Sequence, residues 1–119
     1  GTCAGMILLA GQLAEPDPEP LHLMDTTVHR NAFGRQVDSF EAKVEFEGIS
    51  GGPVHAVFIR APWVNQIGPA VEVLSTLSDG TVVAVRQENL LATAFHPELT
   101  NDVRVHRYFL QMLAVGSVS

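Results

Sequence analysis

Two apolar runs joined by a short polar turn are the feature that most constrains how this chain can fold. Residues 71–77 and 81–86 are rich in aliphatic side chains, and Ser78-Asp79-Gly80 separates them. An Asp-Gly step supplies the positive φ angle that a tight hairpin turn needs. The two runs are therefore predicted to pair as antiparallel strands, so the chain must contain a β-sheet.

Three further segments are predicted as strands because their side chains are apolar throughout or alternate between polar and apolar. They are residues 43–47, 54–59 and 90–95. Residues 48–53, which include adjacent glycines and a proline, are predicted as the loop between the first two. Strands are therefore expected to fill the middle of the chain.

Two helices are predicted near the ends of the chain. The first starts with the apolar run at Met6 and ends near Leu13, and the second is capped by Asn101 or Asp102. The residues predicted to line the apolar face of the second helix are Val105, Phe109 and Met112. Proline at every second position of residues 15–20 predicts a surface loop. The order of elements is that of a mixed α and β protein.

Length and composition limit the number of domains and the classes of partner. The 119 residues suit a single domain, and 46% of them are hydrophobic, which is enough to form a core. The net charge of −6 disfavours nucleic acid as a partner, because Lys and Arg supply most of the affinity for phosphates. The sequence has no apolar run near the roughly 18 residues of a membrane span and no signal-peptide pattern. We therefore expect a cytoplasmic globular protein with no membrane partner.

The single cysteine lies where a nucleophile is expected. Cys3 follows Gly1-Thr2 and precedes Ala4-Gly5, and the first predicted helix comes directly afterwards. Small neighbours give steric access, and the amides and dipole at a helix start favour the thiolate. The nucleophile elbow follows the same logic, since small residues permit its sharp strand-to-helix turn. The alternative is a buried cysteine that packs as a small hydrophobic residue.

The segment His96-Pro97-Glu98 supplies the partners that a cysteine nucleophile needs: a base, and a group that orients the base. Side chains two residues apart in an extended chain point to the same side. Glu98 is therefore predicted to hold the His96 ring, and the fold must bring the pair to Cys3. A structural histidine and a metal site are the alternatives, although zinc lacks its usual Cys and paired His ligands here.

Four motifs resemble those of one enzyme family and occur in that family's order. They are Gly1-Thr2-Cys3-Ala4-Gly5-Met6-Ile7, Arg30-Asn31-Ala32-Phe33-Gly34-Arg35-Gln36, Ser39-Phe40-Glu41 and Thr93-Ala94-Phe95-His96-Pro97-Glu98-Leu99-Thr100. The first and last resemble class I glutamine amidotransferases in general, whereas the second resembles the vitamin B6 branch. The chain thus resembles the glutaminase subunits of pyridoxal 5'-phosphate synthases along almost its whole length.

The resemblance implies a fold, an activity and a partner. The implied fold is a three-layer α/β class I glutamine amidotransferase-like fold with a mixed, mainly parallel sheet. The implied activity is hydrolysis of L-glutamine to L-glutamate and ammonia. The ammonia passes to a synthase subunit, in a hetero-oligomeric complex, that assembles pyridoxal 5'-phosphate. No metal or redox cofactor is implied.

The resemblance also assigns roles to individual residues. Cys3 is the nucleophile, His96 is the acid and base, and Glu98 orients His96. The backbone N–H of Ala4 is one donor to the oxyanion. The substrate-binding residues that the resemblance implies are Arg30, Ile59 and Arg60.

Two of these substrate-binding assignments have structural alternatives. Arg30 could be a surface charge or part of an ion pair, and Ile59 is expected to be a core residue that contributes through its backbone. Contact with the substrate and a purely structural role therefore stay open for both residues.

The sequence begins two residues before Cys3, whereas family members carry an earlier portion with a glycine-rich loop that supplies another oxyanion donor. Residues 1–119 are therefore expected to be the C-terminal part of a single glutaminase domain, with the N-terminal portion absent. Alone they are expected to be poor catalysts. The alternatives are a noncatalytic fragment that keeps a synthase-docking surface and a glutaminase of another amidotransferase branch.

Overall fold

Eight strands, two α-helices and one 3-10 helix form the part of the chain that the computed structural model describes, residues 1–16, 19–30 and 39–118. In chain order they are α1 (Ala4–Leu9), β1 (Ala10–Leu13), β2 (Met24–His29), β3 (Ser39–Val44), β4 (Val54–Ile59), β5 (Trp63–Ile67), β6 (Glu72–Thr76), β7 (Val82–Gln87), β8 (Leu90–Thr93), the 3-10 helix (Pro97–Leu99) and α2 (Arg104–Val118). The mixed α/β class predicted from the sequence is confirmed.

Most of the strands form one sheet. Its order is β1-β2-β5-β7-β6, β8 also pairs with β7, and β3 and β4 form a separate antiparallel pair. The β1–β2 pair is parallel, and the other pairs of named strands in the described residues are antiparallel. The described strands are therefore mainly antiparallel, not mainly parallel as expected. The reason is that β6, β7 and β8 follow one another through short turns, which leave room only for antiparallel neighbours.

The hairpin predicted from the Asp-Gly step is confirmed as β6 and β7. Glu72 pairs with Arg86 at its open end, and Gly80 takes a φ of 90° in the turn. The Asp79 carboxylate accepts hydrogen bonds from the backbone N–H and the hydroxyl of Thr81, at 2.9 and 2.7 Å. Local turn chemistry thus specifies the hairpin.

The first predicted helix and the strand predicted at residues 43–47 have different boundaries in the structure. The first helix ends at Leu9, because residues 10–13 pair with β2; a Cβ on Gly11 would lie 2.6 Å from the Met24 carbonyl oxygen. The strand predicted at residues 43–47 is β3, which begins at Ser39 and ends at Val44. Residues beyond Val44 turn to β6 instead: Ser75 donates its hydroxyl to the Glu45 carbonyl oxygen at 2.6 Å.

Strands β2 and β5 were not predicted at all. Their sequences, Met-Asp-Thr-Thr-Val-His and Trp-Val-Asn-Gln-Ile, are interrupted by two or three consecutive polar residues, so neither forms a continuous apolar run or a regular alternation. They become strands because β2 lies between β1 and β5, and β5 connects β2 to β7. The predicted strand at 90–95 is confirmed as β8, although it ends at Thr93.

The terminal helix α2 closes the core beside an aromatic cluster. Asp102 caps it by accepting the Arg104 backbone N–H at 3.0 Å. Val105 and Met112 are buried as predicted, but Phe109 is 37% exposed. The rings of Phe40 and Phe95 pack against Phe58, and the Phe46 ring packs against Tyr108 of α2.

The sequence predicted loops at residues 15–20 and 48–53. Of the loop predicted at 15–20, residues 17 and 18 lie outside the described part of the chain, and its other residues form no helix or strand. The loop predicted at residues 48–53 is confirmed. Among the described residues, no helix is long and apolar enough to cross a membrane.

Candidate active site

Cys3 occupies a strained turn between an extended segment and α1. The Cys3 N–H donates to the Thr93 carbonyl oxygen at 2.7 Å, and the Thr93 N–H donates to Gly1 at 2.9 Å, so residues 1–3 run parallel to β8. Cys3 then takes φ 51° and ψ −105°, a conformation that costs energy for any residue but glycine. A Cβ on Gly1 would lie 2.5 Å from the Gly5 backbone, so the turn requires glycine at position 1. The geometry matches the elbow predicted from the small residues.

The thiol of Cys3 is partly buried and faces the end of β4. Its Sγ lies 3.6 Å from the carbonyl oxygen of Ile59. Burial raises the pKa of the Cys3 thiol, a hydrogen bond from the Ala4 N–H lowers it, and the negative charge of Glu98 raises it. The Ala4 N–H at the helix start therefore favours the thiolate, as predicted, but the net pKa of the thiol still lies above its usual value. Burial of the thiol outweighs the hydrogen bond from the Ala4 N–H.

His96 and Glu98 form the pair that the sequence predicted. Nδ1 of His96 lies 2.6 Å from Oε2 of Glu98, and the histidine side chain is 21% exposed. The contact has a different cause from the one predicted, because residues 97–99 form a 3-10 turn and not an extended chain. With Nδ1–H donated to the carboxylate, Nε2 carries the lone pair that can accept a proton.

Glu98 keeps its negative charge in this setting. Partial burial raises the pKa of Glu98, but the hydrogen bond with His96 lowers it, as do the backbone of Glu98 and the charges of His96 and His106. The net pKa lies below its usual value. Glu98 is therefore ionised at neutral pH and stabilises a positive charge on His96.

Strand β4 brings the two ends of the chain together. The His96 N–H donates to the Val57 carbonyl oxygen at 2.8 Å, and the Cys3 thiol contacts Ile59, two residues further along the same strand. The neighbouring Thr93 accepts the Cys3 N–H. The elbow and the His96 turn are thus both anchored to the C-terminal halves of β4 and β8.

The predicted substrate-binding residues lie at strand ends, and no contact of this structure tests their roles. Ile59 is 41% exposed, so the expectation that it is a core residue was wrong. Arg60 follows β4 with a φ of 46° and is exposed. Arg30 is also exposed, and its backbone N–H donates to the Glu15 carboxylate at 2.9 Å. The rest of the Arg30 motif, residues 31–36, lies outside the described residues.

Sequence reasoning missed two residues that hold the site together. Val57 and Thr93 act through carbonyl oxygens, which any residue type has, so their identity gave no signal for this contact. One indication of a role in the site was present in the sequence: Thr93 is the first residue of the family motif that contains His96 and Glu98. No group of three or more His, Cys, Asp or Glu residues within the described ranges is arranged to hold a metal ion.

The fold and the candidate site define an α/β protein of the glutamine amidotransferase class, with a cysteine elbow and a neighbouring His-Glu pair. Comparison with known proteins gives the family. The chain belongs to the SNO glutamine amidotransferase family, whose sequence model matches residues 1–115.

Two curated relatives share the name pyridoxal 5'-phosphate synthase subunit PdxT. The protein of Mycolicibacterium vanbaalenii is 61% identical over 96% of this chain and 60% of its own length. That of Nocardia farcinica is 57% identical over 95% of this chain and 53% of its own length. The chain therefore spans little more than half of these relatives.

A solved structure agrees with the sequence comparisons. The crystal structure of a glutamine amidotransferase is 51% identical in sequence to this chain and superimposes on it with a TM-score of 0.89. The match covers 96% of this chain and 59% of the crystallised one. The glutamine amidotransferase-like fold expected from the resemblance is thereby confirmed.

Proposed function

We propose that this chain carries the catalytic residues of a glutaminase that hydrolyses L-glutamine to L-glutamate and ammonia through a cysteine thioester. One observation carries the proposal: the strained Cys3 turn and the His96–Glu98 pair are anchored to the same end of β4. Membership of a glutamine amidotransferase family supports the choice of substrate.

The first half of the reaction forms the thioester. His96 takes the thiol proton at Nε2, and the Cys3 thiolate attacks the side-chain carboxamide carbon of glutamine. A free cysteine is mostly protonated at neutral pH, and burial raises the pKa of the Cys3 thiol further, which supports the need for this base. The tetrahedral intermediate collapses as the carbon–nitrogen bond breaks, and His96 gives its proton to the departing ammonia.

The second half of the reaction releases glutamate. His96, neutral again, removes a proton from water as the water attacks the γ-glutamyl thioester. The carbon–sulfur bond breaks, and Cys3 recovers its proton from His96. Glu98 keeps Nδ1 protonated throughout and stabilises each cationic state of the ring. The net reaction consumes one water for each glutamine.

The oxyanion of each tetrahedral intermediate needs hydrogen-bond donors. The Ala4 N–H is proposed as one, because it already donates toward the Cys3 sulfur and belongs to the first residue of α1, where amides lack an intrahelical acceptor. Such a donor contributes about 3–4 kcal/mol to the transition state. Ala4 would act through its backbone.

Three residues are proposed to bind glutamine. The Arg30 guanidinium suits the α-carboxylate of the substrate, since it can donate two parallel hydrogen bonds. Ile59 and Arg60 lie at the end of β4 beside the thiol, which supports a contact with the substrate near the reacting carbon. Ile59 would contribute its backbone.

The ammonia is proposed to pass to a synthase subunit that assembles pyridoxal 5'-phosphate. The shared name of the relatives supports this acceptor over that of another amidotransferase branch. We also propose that residues 1–119 are the C-terminal part of one glutaminase domain. A cytoplasmic location stays a prediction of the sequence.

The proposal is tested by measuring glutamate and ammonia release from L-glutamine by the full-length protein, with and without its synthase. Cys3→Ala should remove turnover completely, because no neighbouring group can form the thioester. Its thermal unfolding temperature should stay close to that of the wild type, which separates lost chemistry from lost folding. Normal turnover by Cys3→Ala would contradict the mechanism.

A further inference from the structure

A buried hydroxyl lies between the two halves of the candidate site. Thr93, the last residue of β8, is 1% exposed. Within the described residues, every buried side-chain nitrogen and oxygen has a hydrogen-bond partner. For Thr93 the partner is the Phe95 carbonyl oxygen, to which its hydroxyl donates at 2.8 Å. This buried hydrogen bond ends at Phe95, the residue directly before His96.

The backbone of Thr93 holds the nucleophile. Its carbonyl oxygen accepts the Cys3 N–H at 2.7 Å, and its N–H donates to the Gly1 carbonyl oxygen at 2.9 Å. These two bonds fix the extended segment that leads into the strained Cys3 turn. A rotation of the Thr93 peptide would therefore displace the thiol.

The side chain of Thr93 holds the base. Its hydroxyl closes a tight turn over residues 93–95, and the next peptide N–H, that of His96, donates to Val57. The Phe95 ring is fully buried and packs edge-on against Phe58, with centroids 5.6 Å apart. The direction from which His96 enters the site is thus set by the Val57 bond, the Phe95 ring and the Thr93 hydroxyl.

We propose that Thr93 is a positioning residue whose backbone fixes Cys3 and whose hydroxyl fixes His96, so that one residue sets the distance between nucleophile and base. The inference rests on the proposed glutaminase function and adds a residue to which that function gave no role. Thr93 acts through the two catalytic residues and does not touch the substrate.

Thr93→Val in the full-length protein with its synthase tests the proposal, because valine keeps the branched shape and removes the hydroxyl. We expect kcat for glutamine hydrolysis to fall about 10- to 100-fold, the effect of a misplacement of about 1 Å, while KM changes less than about twofold. Alkylation of Cys3 by iodoacetamide at pH 7 should slow as well. Thr93→Ser, which restores the hydroxyl, should recover most of kcat.

Ser75→Ala is the matched control. Ser75 is 3% exposed and donates its hydroxyl to the Glu45 carbonyl oxygen at 2.6 Å, so this variant loses the same kind of buried bond outside the site. Both variants should lower the thermal unfolding temperature. Only Thr93→Val should lower kcat and slow the alkylation. Equal kcat in the two variants would refute the positioning role.

A second pair of variants covers the case in which Thr93→Val does not fold. Thr93→Ser and Thr93→Ala both lack the methyl group and differ by the hydroxyl, so the alanine variant should have the lower kcat. Equal kcat in this pair would also overturn the proposal. Failure of the glutaminase function itself is distinguishable, because the wild type would then release no glutamate or Cys3→Ala would keep full turnover.

Discussion

Replacing Glu98 by Gln removes the charge that holds His96 and leaves the shape of the side chain almost unchanged. The wild-type carboxylate lies 2.6 Å from Nδ1 of His96. The glutamine amide oxygen can still accept this hydrogen bond, so the ring should keep its orientation. What is lost is the stabilisation of the cationic ring that forms when His96 takes the thiol proton.

The size of the effect follows from the exposure of the carboxylate. A hydrogen bond to a charged group contributes about 1.5–3 kcal/mol. The Glu98 side chain is 46% exposed, so water screens its charge and the lower part of that range applies. About 1.5–2 kcal/mol of transition-state stabilisation corresponds to a fall in kcat of roughly 10- to 30-fold.

The assay is steady-state glutamate release by the full-length protein with its synthase, together with thermal unfolding of each variant. Glu41→Gln is the control, because Glu41 pairs with His55 on the β3–β4 hairpin, where it is 63% exposed. Glu41→Gln should leave kcat unchanged. Similar kcat in the Glu98 and Glu41 variants would refute the role of Glu98 and make its contact with His96 structural.

Two further predictions test substrate binding and stability. Arg30→Ala should raise KM for glutamine about 10- to 100-fold with little change in kcat, because it removes a charged hydrogen bond to the substrate that contributes about 1.5–3 kcal/mol to binding. An unchanged KM with a lower unfolding temperature would favour the ion-pair alternative. Hydrogen bonds from Arg104 lower the pKa of Asp102 from 3.8 to about 2. Because the folded-state pKa is depressed, Asp102 stabilises the fold above pH 3.8 and loses this contribution as the pH falls toward 2. Asp102→Asn should therefore lower the free energy of unfolding by about 1 kcal/mol at pH 7, after allowance for solvent screening. In urea titrations this difference between variant and wild type should vanish toward pH 2. A difference that stays constant with pH would contradict the charge argument.

The sequence determined the features that depend on neighbours along the chain. The Asp79-Gly80 turn, the Asp102 cap and the contact of Glu98 with His96 each join residues close in sequence, so local chemistry is enough to predict them. The motif at Cys3 likewise indicated the elbow, since small residues at a turn leave few other conformations. The resemblance to glutamine amidotransferases came from motifs of this local kind and was confirmed by the family comparison.

The tertiary structure decided where those local pieces meet and what environment they share. Residues 10–13 form a strand because β2 offers a partner, and this partner is distant enough in sequence to give no local signal. Cys3 contacts Ile59, and His96 is bound by Val57, through carbonyl oxygens that every residue type has. The raised pKa of the Cys3 thiol follows from burial, which depends on the packing of the whole chain. Sequence patterns specify side-chain chemistry, whereas long-range backbone contacts and burial exist only once the chain has folded.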